Sequence, residues 1–131
     1  MELEKSLEEI SRLTENNPSA TVIVGGDFNA GDIDWIIESV PMGAKQRNLC
    51  LKVLDVVTTF NLEQQQKLPT RADRVLDLFC TNKPGLTKSI HVIPGLSDHE
   101  IVCVDCDLRA RVNKKPPRKI HLWSKADWAN I

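Results

Sequence analysis

Three short stretches of this sequence gather polar side chains of the kinds that run reactions. Gly25-Gly26-Asp27-Phe28-Asn29 follows directly on an apolar, β-branched run. Polar groups at the end of a buried strand sit where α/β folds usually bind ligands. Asp27 and Asn29 are two apart, so an extended backbone aims both at one face and sends Phe28 into packing. The glycines permit a tight turn beside a substrate. A carboxylate beside an amide suits a metal-bound water or a phosphate: one group handles a proton, the other donates a hydrogen bond. The same letters also describe an ordinary Gly-Asp turn after a strand. The second stretch is Ser97-Asp98-His99. Asp98 offers a hard oxygen ligand, and His99 is the usual acid or base near neutral pH. A lone loop histidine is otherwise simply solvated. The third is Asp77, inside Arg74-Val75-Leu76-Asp77-Leu78-Phe79. A carboxylate among apolar strand residues is costly to bury unless paired. Accepting a bond from an imidazole N–H would fix that ring's tautomer and favour its protonated form, and His99 is the available ring.

Six elements have to position these residues. Residues 2–16 have the pattern of an amphipathic helix, with Leu3, Leu7, Ile10 and the nearby Leu13 on one face and Pro18 barring continuation. The run 21–25 (TVIVG) predicts a strand buried on both faces. Residues 26–45 are loop-like, with a short helical turn expected over 34–39. Residues 46–60 predict a second helix, on the period of Leu49, Val53, Val56, Val57 and Phe60. A polar connection follows over 64–73. Strands are then expected over 75–81, 88–93 and 100–108, separated by turns at Lys83-Pro84-Gly85 and Pro94-Gly95. The order α, β, α, β, β, β implies an α/β or α+β layer: one mixed sheet with helices on one face.

The chain has 131 residues, enough for one domain and not two. Its 41% hydrophobic and 27% charged residues exclude disorder throughout and low-complexity classes. No apolar run approaches the ~20 residues of a membrane-spanning helix, and the acidic N-terminus has no secretory signal, so an intracellular location is expected. Charge is unevenly shared. Residues 108–131 hold seven Lys/Arg and one acid, whereas 1–107 hold ten bases and seventeen acids. An acidic body with a basic tail suggests a polyanion at the tail, or else a solvated linker. The four cysteines are expected to be free thiols. Cys103 and Cys106 form a CxxC, but they lie three apart in a strand and so face opposite sides, and zinc would need a second ligand pair; packing is the expected role.

Taken together, GGDFN, RVLDLF and SDH, in this order, resemble the C-terminal half of the endonuclease/exonuclease/phosphatase superfamily, which includes deoxyribonuclease I and the apurinic endonucleases. Leu68-Pro69-Thr70-Arg71 and Trp123-Ser124-Lys125-Ala126-Asp127-Trp128 are similar to the endonuclease domain of non-LTR retrotransposon polyproteins, in which a reverse transcriptase follows. The resemblance implies the C-terminal half of a four-layer α/β sandwich over residues 1–108, with 109–131 a basic linker toward a reverse transcriptase. It implies Mg²⁺- (or Mn²⁺-) dependent hydrolysis of DNA phosphodiesters by in-line attack, in a nuclear setting for the parent protein. Asp27 then resembles the Asp that positions or deprotonates water, and Asn29 the Asn that holds the scissile phosphate. Asp98 resembles a carboxylate at the metal site. His99 resembles the His that stabilises the transition state, and Asp77 the Asp that orients it. The first half of such a domain carries a metal-binding Glu and a catalytic Tyr, and this sequence has no Tyr. A truncated copy, inactive alone, is therefore expected. The alternatives are a non-catalytic nucleic-acid-binding half-domain with a basic tail and a remnant without function.

Overall fold

The computed structural model describes residues 2–109 and 113–130. Its first helix, α1 (Glu2–Asn16), opens with Glu2 and Glu4 where the helix dipole favours acids, and it ends as Asn17 N–H bonds the Leu13 carbonyl at 3.1 Å. None of its residues is fully buried. Leu3, Leu7 and Ile10 are half-covered, and Leu13 stays 47% exposed. The second helix, α2 (Arg47–Thr59), is the core helix. Cys50, Val53, Val56 and Val57 are buried on one side of it. Cys50, Val53 and Val57 cluster with Ala30, Ile33 and Leu62 and with Leu78 and Cys80 from the sheet beneath.

The chain is α+β, but its strands form two antiparallel sheets rather than one mixed sheet. β1 (Ile23–Asp27), β2 (Glu63–Gln64) and β3 (Asp77–Thr81) form the first, in the order β1-β3-β2. β4 (Thr87–Ile93) and β5 (Ile101–Cys106) pair as a hairpin and form the second. The reason lies in the order of insertion. The β1-α2-β2 crossover makes β1 and β2 run the same way, but β3 is inserted between them and pairs antiparallel with both.

That insertion also corrects the expectation for β1. It is an edge strand with an exposed pattern, and β3 is the strand buried on both faces, with Leu78, Phe79, Cys80 and Thr81 all enclosed. Leu78 and Cys80 face α2, so Asp77, Phe79 and Thr81 face the other way. Over 34–39 no helical turn forms. Asp34 and Ser39 instead close a tight loop with reciprocal backbone bonds of 2.9 and 3.1 Å. Cys50 and Cys80 are buried as expected of packing thiols. Cys103, across from His91 in the hairpin, is exposed, and Cys106 faces the opposite side, half-buried. Arg111 of the basic tail lies outside the described residues. Over 113–130 the chain is irregular apart from two single 3₁₀ turns, Trp123–Lys125 and Trp128–Asn130.

Candidate active site

The register of β1 against β3 makes Asp27 the direct partner of Asp77. Directly opposed residues of an antiparallel pair share a face, here the one away from α2, and like charges so placed repel. The second stretch supplies the remedy. His99 stands in the loop between β4 and β5, and its Nδ1–H donates to Asp77 Oδ2 at 2.8 Å. A carboxylate can only accept, so the nitrogen is the donor. The other ring nitrogen, Nε2, is 3.6 Å from Asp27 Oδ2. Ligand-type atoms of Asp27, Asp77 and His99 all lie within 4.8 Å of one another. The bond to Asp77, aided by the charges of Asp77, Asp27 and Asp98, raises the His99 pKa above its ordinary 6.5, against a smaller opposing effect of desolvation. A shallow cleft runs from this group between the sheets, lined by Gly25, Gly26, Leu78, Phe79, Val102 and Val104.

Asn29 is placed differently from the expectation. The strand ends at Asp27, and Asn29 has a left-handed backbone (φ 53°). Its N–H bonds the Asp27 carboxylate at 2.9 Å, a turn that Asn tolerates and that fixes one Asp27 oxygen. Phe28 packs against the core as expected. Gly26, at φ 142°, supplies the backbone freedom just before Asp27. Asp98 does not join the three-residue group. Its carboxylate meets Arg71 at 3.1 Å, in an ion pair whose side chains are both more than half exposed.

Sequence reasoning missed the residues that hold this arrangement. The polar connection over 64–73 contains three buried polar residues, Gln64, Gln66 and Thr70. Gln64 accepts from Gln66 N–H at 2.8 Å and from Phe79 N–H at 3.2 Å. Gln66 donates to the Leu68 carbonyl at 2.5 Å and accepts from Leu68 N–H at 2.8 Å. Side chains thus satisfy the backbone of an irregular segment beside β3. Thr70 is the junction. Its hydroxyl accepts from Leu76 N–H and Asp77 N–H, each at 3.2 Å, while its carbonyl accepts from Glu100 N–H at 2.7 Å. One buried residue therefore holds both the Asp77 backbone and the residue after His99. Gly95 matters for a steric reason: a Cβ there would lie 1.9 Å from the His99 carbonyl oxygen. The Pro-Thr-Arg letters and the Pro-Gly turn were the available signals.

A family model described as endonuclease-reverse transcriptase matches residues 2–103. The chain belongs to that family. No curated protein and no solved structure matches it. The span shared with the endonuclease-reverse transcriptase family runs from α1 into β5, so it contains Asp27, Asn29, Asp77, Asp98 and His99 and leaves the basic tail outside.

Proposed function

We propose that this chain carries a phosphodiester-hydrolysing site of a retroelement endonuclease acting on DNA. The observation that carries the reading is His99 held between the opposed carboxylates of Asp27 and Asp77. Asp77 holds the ring's orientation and favours its protonated form. His99 Nε2 is the nitrogen left to face a phosphoryl oxygen, whose growing negative charge an imidazolium offsets. Asp27, 47% exposed along its side chain, is placed to orient or deprotonate the attacking water. Asn29, next to it, would hold the scissile phosphate.

The donor set fits a hard divalent cation. Asp27 is an exposed carboxylate 3.6 Å from His99, Asp98 is an exposed carboxylate next to His99 in sequence, and an exposed pair such as Asp98–Arg71 is weak enough to exchange for a metal contact. These two would hold Mg²⁺ or Mn²⁺, which when bound supplies Lewis acidity to the phosphate. His99 Nδ1 is already engaged with Asp77 and is not counted as a ligand.

The cleft beside the site is shallow and open, so the chain alone is expected to nick slowly. Partnership with a reverse transcriptase region accords with the family, and chromosomal DNA as target would place the parent protein in the nucleus. Among the described residues no helix is long and apolar enough to cross a membrane. The test is plasmid nicking in Mg²⁺ by the chain, by His99→Ala, and by a version extended with a homologous N-terminal half. Nicking that grows in the extended version and disappears with His99→Ala is the expected result. Nicking indifferent to His99, or absent from both lengths, would overturn the reading. In the second case the non-catalytic, nucleic-acid-holding alternative gains, since the basic tail supports it independently.

A further inference from the structure

The tail gathers something the hydrolysis site does not use. Two single turns of 3₁₀ helix bring Trp123 and Trp128 together, with ring centroids 5.8 Å apart and planes only 20° from parallel. His121 adds a third ring, 5.6 Å from Trp123. The turns are closed locally: Lys125 N–H bonds the Leu122 carbonyl at 2.9 Å, and Asp127 accepts from Ala129 N–H at 3.2 Å and from the Asn130 amide at 2.7 Å. Despite the stacking, Trp123 and Trp128 remain 64% and 63% exposed. In the sequence of the same segment lie Lys114, Lys115, Arg118, Lys119 and Lys125, and its one acid is Asp127, already engaged in its own turn.

Exposed π faces within a run of cations match a ligand that is both polyanionic and aromatic. We infer that residues 113–130 form a binding site for single-stranded nucleic acid, in which unpaired bases stack on the Trp123–Trp128 pair and the flanking Lys and Arg side chains meet the phosphates. Base–aromatic stacking requires an unpaired base, whereas phosphate contacts alone serve duplex equally well. A lipid surface is the competing chemistry, because Ile120 and Leu122 are also exposed. Interfacial binding draws on an extended amphipathic helix. The helical pieces here are three residues each, interrupted after Pro116-Pro117, and the family is one of nucleic-acid enzymes. The inference stands apart from the cleavage reading, because it uses no residue of the Asp27–Asp77–His99 group.

The experiment uses the whole chain in EDTA, so that metal-dependent cleavage plays no part. Anisotropy and tryptophan quenching are followed with a mixed-sequence single-stranded DNA, with a hairpin duplex of equal phosphate number, and with phosphatidylserine vesicles. The single strand is expected to bind more tightly than the duplex. Replacing both Trp123 and Trp128 by Ala should weaken single-strand binding about tenfold or more while leaving the duplex unchanged. Replacing Lys114 and Lys115 by Gln should reduce the salt dependence for the single strand, by roughly 0.7 in log–log slope per lost phosphate contact. Equal affinity for both DNA forms, or single-strand binding untouched by the double Trp variant, would overturn the inference. Binding to vesicles but to neither DNA would overturn it too. These outcomes are read whether or not plasmid nicking is ever seen.

Discussion

Two carboxylates that strand register places side by side repel unless positive charge comes between them, and a protonated His99 is placed to supply it. The raised His99 pKa and the Asp27–Asp77 register therefore support each other. The expected outcome in a proton NMR titration is a His99 midpoint above the ordinary 6.5, falling back when Asp77→Asn removes the principal hydrogen-bond acceptor. The stability effect has a defined sign. A histidine whose folded-state pKa is raised stabilises fully below the unfolded value near 6.5, and that contribution disappears as pH climbs through the raised folded value. The urea midpoint should thus decline over this window in the native chain and decline less in His99→Ala. A His99 that titrates at or below 6.5 would show that the clamp does not form in solution. At this scale the sequence was informative. The cost of burying an unpaired carboxylate made His99 the available partner for Asp77, and the 2.8 Å bond realises that pairing. The extended backbone assumed at Asn29 does not form, because the strand ends at Asp27 and Asn29 is left-handed.

The elements were legible in kind but not in environment. Both helices and the later strands follow from periodicity and turn residues, because those signals are local. Whether a strand lies at an edge or in the centre depends on its neighbours. The Val-rich run before Gly25 would look the same in either place, and only the insertion of β3 decides it. Burial of Gln64, Gln66 and Thr70 was illegible for a related reason: a polar run spells a solvated loop unless something distant needs its hydrogen bonds. Thr70→Val tests how much that matters. It keeps the shape and removes the acceptor for Leu76 N–H and Asp77 N–H. Leaving these amides unsatisfied should cost about 1–3 kcal/mol in urea denaturation, with Thr70→Ser recovering most of it. Because Thr70 holds the backbone of Asp77, the valine variant should also lower the His99 titration midpoint. A loss of stability with His99 unmoved would make Thr70 a packing residue and nothing more.

For the whole molecule, burial divides the four cysteines into two classes. Cys50 and Cys80 are sealed in the α2–β3 core; burial raises both thiols, and pushes Cys80 to about 12. Thiolate is the reactive form, so neither should react while the chain is folded. Cys103 is exposed on the outer face of the hairpin. A thiol reagent should modify Cys103 first and Cys106 more slowly, and should reach Cys50 and Cys80 only as the chain unfolds. Loss of the fast phase in Cys103→Ser would confirm the assignment. Core thiols reacting as fast as Cys103 would mean that α2 does not stay on the sheet.

The Asp77–His99 bond runs from the three-stranded sheet to the hairpin loop, and the Thr70–Glu100 bond beside it spans the same gap. The residues best suited to chemistry are therefore also among those that tie two small sheets into one body. A mutation at His99 removes a strut as well as a reactive group. Among family members accumulating random changes, those that lose the histidine should also lose some stability. The histidine would then be kept for stability whether or not the site is active, so its presence in a chain is by itself poor evidence of activity.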